Sequence, residues 1–344
     1  MPIYEFGYRH WEGKLRPWWL RWFPITRTGV GLALQNRMLR RMMFVAWLPL
    51  AYFGAAFFAV GKMTEPRAIT APSNFVSLPD SRMRAAIVPD SFEAIGSAML
   101  GMKIRQMLRE DPSAVRKAAW SWSFYQYMRV SQLMILFLVV AVVGPPLISQ
   151  DVRSKSFLMY FSKPITRWDY LLGKAGVLLS FAMSVTLAPA LVLYAISIGF
   201  SPSLAAFFDT GLIAVRILAA FAVTAVPATL LMLFYSSLTR EPRYAAFAWV
   251  ATCILGELFY LTLVASPTWR DSTWIFLVSP RQIAATALGA VFDVREQVQT
   301  LSDTPLAMLS GTVYSETTAL LALLGVSIVA LLGLLRRVTA PLRV

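Results

Sequence analysis

Residues 149–174, SQDVRSKSFLMYFSKPITRWDYLLGK, hold the chain's most concentrated set of side chains able to make directed polar contacts. Asp151, Arg153 and Lys155 alternate with smaller residues, and Ser154, Lys163 and Arg167 add further donors. Ionised groups make short, charge-assisted hydrogen bonds, so on a short helix this pattern suits recognition of a polar partner surface rather than bond-breaking. Phe157–Phe161 offers such a helix an apolar anchor, and Pro164 restricts the turn that follows. Arg167 and Lys174 are long enough to snorkel toward phosphates. The same charges also fit an ordinary basic loop flanking a membrane helix.

Two further charges, Arg216 and Glu257, fall inside long apolar runs. Counted from one end of those runs, both lie roughly 8–10 Å below the surface at 1.5 Å per residue. An ionisable group inside a membrane usually faces protein or water and has a partner. The two are therefore expected to pair or share a polar pocket, either as an external gate or as a static structural ion pair. Catalytic chemistry is not legible. His10 and Cys253 are the sole histidine and cysteine, so no intramolecular disulfide and no His/Cys metal centre is expected. The chain also has no Walker A loop, GxGxxG after a strand, HExxH or GxSxG.

The elements that hold these residues follow from composition. The 344 residues are 57% hydrophobic and 15% charged, against about 25% charged in a soluble domain. The net charge of +14 flanks apolar runs instead of forming a basic stripe, which argues against nucleic acid as a partner. Six runs, at 42–60, 130–148, 175–198, 211–235, 245–264 and 317–335, approach the ~20 residues that cross ~30 Å of hydrocarbon. Backbone groups in lipid must bond within their own segment, so each run is expected to be helical. The expected fold is an all-α polytopic membrane protein with six transmembrane helices, an N-terminal interfacial helix and a small external helical cap. The first run begins behind about forty polar and aromatic residues, unlike a cleavable signal peptide.

Basic residues concentrate in 1–41, 149–174, 236–244 and the tail after 335, which places both termini in the cytoplasm. Residues 1–41 read as a cytoplasmic interfacial segment and 42–344 as the transmembrane domain. Within that domain lie an external insertion at 61–129, the loop at 149–174 and an external re-entrant region at 265–316. Trp18, Trp19, Arg21 and Trp22 suit anchoring to headgroups, making membrane lipids an expected partner. Trp120, Trp122, Tyr125 and Tyr127 read as an aromatic belt. Residues 273–292 are apolar, but Pro280 and Arg281 interrupt them, and a seventh span would turn the basic tail outward. A re-entrant helical pair is the expectation.

The order Gly144–Pro145–Pro146–Leu147–Ile148, then Ser149 to Lys155, then Phe161–Ser162–Lys163–Pro164–Ile165–Thr166–Arg167 running on to Lys174, resembles the membrane-spanning subunit of ABC-2 type ABC transporters. The resemblance is most specific over 130–200 and looser across all six spans. It implies that Asp151, Arg153, Ser154, Lys155, Lys163 and Arg167 serve a coupling helix that meets an ATPase. It further implies two cytoplasmic ATPase subunits, a second permease copy or paralogue, and export across the inner (cytoplasmic) membrane. ATP and magnesium would bind the ATPases, with no cofactor held by this chain. A periplasmic or envelope partner could meet the external insertion. Many members carry a Glu-rich coupling stretch; Asp151, Ser154 and Ser156 depart from it, which leaves the identity of the ATPase open. A non-translocating membrane anchor that transmits motion for an ATPase complex is the alternative. A lipid-modifying enzyme would need a convergent catalytic group that the sequence does not display.

Overall fold

A computed structural model of the chain describes residues 17, 20–63, 112–156, 165–199, 205–269, 272–294 and 314–339. Among these residues the regular structure is helical, with no strand. Phe23–Leu34 (α1), Arg37–Val45 (α2) and Leu48–Met63 (α3) come first. Pro112–Gln126 (α4) continues through a π-helical turn, Tyr127–Gln132, into Leu133–Val143 (α5) and Pro146–Arg153 (α6). Arg167–Ala182 (α7) likewise passes through a π turn, Met183–Leu187, into Ala188–Gly199 (α8). Ala205–Leu238 (α9) and Pro242–Ala265 (α10) follow. A 3-10 turn, Ile275–Val278, leads to Pro280–Val291 (α11), and Glu316–Thr339 (α12) ends the fold.

Five helical stretches are long and apolar enough to cross a membrane: Lys117–Arg153, Arg167–Gly199, Thr210–Leu238, Pro242–Ala265 and Glu316–Val338. The chain thus has the character of a multi-pass helical membrane protein. The run expected at 42–60 is divided between α2 and α3, with a turn at 46–47. Pro49 is the cause: it has no N–H to give, and its ring would strike the Val45 carbonyl if the helix ran on. The α2–α3 pair still travels the length of the bundle, since Leu39 packs in one core and Phe57 in the other.

The first core gathers Leu39, Val140, Ile148, Tyr170, Met232 and Leu334 at the end that carries the basic loops. The second gathers Phe57, Phe124, Tyr127, Leu193, Ile217 and Phe292 at the opposite end. Lys117–Arg153, Arg167–Gly199 and α9 each contribute to both, in alternating direction. The aromatic residues before the second run are not a surface belt. Trp120, Tyr125 and Tyr127 are buried, and Trp120 meets Phe57 and Tyr194 edge-on at 5.8 and 6.3 Å. Helices α3 and α8 cover that face, so protein takes the place of lipid. α10 and α12 are the least covered, with only 11% and 17% of their apolar windows buried within the chain.

Residues 273–292 form a 3-10 turn and the 12-residue α11, about 18 Å of helix and too short to cross ~30 Å. Phe276, Ile283 and Ala287 pack with Ala319 of α12. The external insertion at 61–129 is described only up to Met63 and from Pro112 onward; residues 64–111 lie outside the described residues, as do Trp18, Trp19 and Lys163.

α1 does not lie alone on a leaflet but is pressed onto α7. A Cβ on Gly173 would sit 2.7 Å from Ile25 Cβ, and Thr26 Oγ1 donates to the Gly173 carbonyl at 2.9 Å. Gly173→Leu should therefore cost about 1–3 kcal/mol by overpacking, and Thr26→Val about 1 kcal/mol through the lost hydrogen bond. Thermal unfolding of the purified protein in detergent checks both; an unchanged midpoint for Gly173→Leu would show that α1 is not seated on α7.

Candidate functional site

At the basic end, α6 is joined to the bundle by polar contacts inside an apolar core. Pro146 occupies the first turn of α6, where its missing N–H removes nothing the helix could use. Other N–H groups of that turn have no intrahelical acceptor. Ser236 of α9, fully buried, supplies one: its Oγ accepts from Ile148 N at 3.1 Å and Ser149 N at 3.0 Å. The same hydroxyl donates to the Pro145 carbonyl at 2.7 Å. One side chain of α9 thereby holds the start of α6.

Asp151 makes the second joint. It is buried, accepting from Tyr170 Oη at 2.7 Å and pairing with Lys174 Nζ at 2.7 Å, both on α7. The Lys174 ammonium also stands 5.6 Å from the Tyr170 ring centroid. This corrects the expectation that Asp151 presents its carboxylate to a soluble partner. The reason is reach: α6 turns that face toward α7, where an unpaired carboxylate would be costly and a lysine one turn past Tyr170 neutralises it.

The outward face of this region carries the other described residues of the predicted set. Arg153, Ser154, Lys155 and Arg167 are exposed, together with Arg240 and Arg243. Arg153 pairs with Glu241 of the α9–α10 turn at 3.2 Å, a solvent-facing contact of little energetic weight. α6 ends with Lys155 in the left-handed region, φ 54°, and Ser156 N donates back to the Asp151 carbonyl at 3.1 Å, closing the helix end in the manner of a Schellman motif. α7 starts with a reciprocal cap. Thr166 Oγ1 accepts from Asp169 N at 3.2 Å, while Asp169 Oδ2 accepts from Thr166 N at 2.9 Å. Thr-x-x-Asp at 166–169 is a sequence signal for this start, and it went unread among the loop residues. At the N-terminus, Arg21 is exposed and Trp22 is half-buried, edge-on to Phe23 at 6.0 Å.

At the opposite end, Arg216 and Glu257 do not meet. Arg216 ion-pairs with Asp293 through Nη2 and donates from Nη1 to the Phe292 carbonyl at 3.1 Å. Glu257 accepts from Ser279 Oγ at 2.7 Å, Arg281 Nη2 at 2.5 Å and Gln282 Nε2 at 3.0 Å. The equal depth expected for the two fails because α9 begins at Ala205, beyond the run that was counted. Measured from the 238–242 turn, Arg216 lies roughly 33 Å along its helix and Glu257 roughly 22 Å.

Both charges instead hold α11, one at each end. Ser279 caps its N-terminus, accepting from Gln282 N at 3.3 Å while its hydroxyl proton goes to Glu257. Arg216 caps the C-terminus, where Asp293 adopts φ 50°. A carboxylate near the first turn and a guanidinium near the last both complement the helix dipole. Gly256 makes the approach possible, since a Cβ there would lie 2.9 Å from the Val278 carbonyl and 3.2 Å from Ser279 Cα. Neither partner set was legible beforehand: Asp293, Ser279, Arg281 and Gln282 fell in a segment with no strong periodicity.

Among the described residues no three His, Cys, Asp or Glu side chains converge as a metal site. No protein-family model matches the chain, and no curated protein matches it as a relative.

A double-mutant cycle of Glu257→Gln with Arg281→Gln should show a stability coupling of about 0.5–3 kcal/mol, while Glu257→Gln with Arg216→Gln should be additive to within ~0.5 kcal/mol. Thermal unfolding in detergent reads both cycles; strong coupling in the second would restore the direct pair. In the same assay Asp151→Asn, which leaves Lys174 buried without its anion, should cost about 3 kcal/mol or more, and Arg153→Gln no more than ~0.5 kcal/mol.

Proposed function

We propose that this chain is the membrane-spanning subunit of an ATP-driven transporter of the ABC-2 type, coupling closure of partner ATPases to rearrangement of its helices. The observation that supports the reading is a short helix, α6, polar on its outer face and fastened on its inner face to two different long helices. Ser236 ties it to α9, and the Asp151–Tyr170–Lys174 cluster ties it to α7. A push on such an element is transmitted to two long apolar helices at once, because no soft joint intervenes. A loop whose only task was to balance charge would need neither joint.

In this reading Arg153, Ser154, Lys155 and Arg167 meet the ATPase, and Asp151 positions the helix that carries them. Lys163 belongs to the same loop. Two cytoplasmic ATPase subunits bind ATP and magnesium, and a second copy of this chain or a paralogue completes the complex. The sparsely covered faces of α10 and α12 are available to lipid or to that second copy. Six membrane passages, with α2–α3 as the first and both termini cytoplasmic, agree with the basic residues gathered at one end of the bundle. The setting is the inner membrane and the direction is export. The charge-clamped α11 stands at the external end, as part of the exit or as its static frame.

Purification of the native complex in mild detergent, followed by mass spectrometry of stoichiometric partners, tests the proposal. An ABC ATPase should co-purify, and Arg153→Glu combined with Arg167→Glu should release it without lowering the unfolding temperature of the membrane subunit. A preparation that keeps other native partners but contains no ATPase would overturn the reading. A retained ATPase whose hydrolysis drives no movement of solute would assign the chain to the anchoring alternative.

A further inference from the structure

Midway along the bundle lies a group of polar side chains that neither α6 nor α11 uses. Tyr127 and Gln132 stand at the two ends of the first π turn and are 0% and 1% exposed. Among the described residues, neither the Tyr127 hydroxyl nor either end of the Gln132 amide has a hydrogen-bond partner. Their polar ends stand near one another without making a hydrogen bond. The π turn causes that approach. Residues five apart on an α-helix point about 140° apart, at about 100° per residue. Here Leu133 N donates to the Met128 carbonyl, five residues back, and the widened turn swings the two side chains toward one face. The Tyr127 ring is held edge-on to Phe53 at 5.2 Å, which fixes where its hydroxyl lies.

Thr186 shows the same anomaly on the second π turn. Hydroxyls elsewhere in the helices donate to the carbonyl four residues back, as at Ser180, Ser197 and Thr224 at 2.7, 2.7 and 2.8 Å. Buried Thr186 makes no such bond. It lies in a turn whose bonding has shifted to five residues, Ala188 N to the Met183 carbonyl. The two π turns pack against each other, where one apolar core gives way to the other. Val185 belongs to the first core and Leu187 to the second, and Leu136 and Leu133 stand in the same relation on α5.

We propose that the packed π turns hold an ordered water, bonded to the Gln132 amide and to the hydroxyls of Tyr127 and Thr186. A buried water needs two to four polar partners, and these side chains offer both donors and acceptors. The ligand is neutral because its partners are. Arg129, on the same π turn, is turned over the Tyr125 ring, 5.7 Å from its centroid. A polar group in an apolar layer is costly unless something bonds to it, and water bonds to all three residues at once. The water joins the passage Lys117–Arg153 to the passage Arg167–Gly199 at mid-bundle, as Asp151, Tyr170 and Lys174 join them at the basic end. The inference stands apart from the ATPase-coupling reading.

The test is X-ray radiolysis of the full-length chain, purified in detergent, with oxidised residues located by mass spectrometry. A bound water yields a hydroxyl radical in place, which attacks the nearest ring whether or not bulk solvent reaches it. Tyr127 should be hydroxylated although it is fully buried, whereas Phe181, buried in the first apolar core, should not. Thr186→Val keeps the shape of the side chain and removes its hydroxyl; it should abolish the Tyr127 label, and Thr186→Ser should retain it. Gln132→Leu should abolish the label as well. Thermal unfolding of each variant confirms that it is folded, and if Gln132→Leu does not fold, the Thr186 pair decides alone. A wild-type protein with no label on Tyr127 would overturn the proposal by showing the site to be dry. A Tyr127 label that persists in folded Thr186→Val or in folded Gln132→Leu would overturn it equally, because the water would then be held by other groups.

Discussion

An apolar interior offers no water, so a charged or polar group placed there is costly unless another part of the chain supplies its partner. Three clusters in this protein meet that constraint. Ser236 supplies an acceptor to α6 and satisfies Pro145 at the same time. Tyr170 and Lys174 accompany Asp151. Glu257 and Arg216 attend to the two ends of α11. In each case the partner lies on a different helix, so satisfying the group also joins two elements. Apolar packing brings the helices together, but it has little preference for one rotation or register over another. The directed contacts remove that freedom.

The joints are unevenly distributed between the two ends of the bundle. At the basic end, α6 is held by two long helices while its outer face remains polar and exposed. At the opposite end, α11 is a short helix held by charges from α9 and α10, the same α9 that holds α6. One long helix thus contacts both α6 at the basic end and α11 at the opposite end. Pro227 inside α9 removes an internal hydrogen bond between those two contacts, so the link between the ends is not a uniform rod.

Much of the scaffold was legible because its cause is local. The long apolar runs had to become helices, and five of them did at span length. Pro280 and Arg281 gave reason to doubt a membrane span at 273–292, and that segment is a turn followed by a short helix. Thr166 and Asp169 form a helix start from nearest neighbours alone, a local signal that the charge pattern of the loop obscured. Pro49 was visible as a proline in an apolar run, but whether it would kink or divide the helix depended on how α2 and α3 found separate packing sites.

The sequence by itself determined that this chain is helical, largely apolar and basic at one end, because hydropathy, proline and charge act through neighbouring residues and through the solvent. Only the tertiary structure decided which charges meet. Asp151 turns inward while Arg153 and Lys155, within four residues of it, stay exposed. Arg216 and Glu257 each select a different end of α11. Those choices depend on the rotation of one helix against another and on close approaches such as those at Gly173 and Gly256. A rotation of a helix by one residue, about 100°, is enough to exchange a buried partner for solvent.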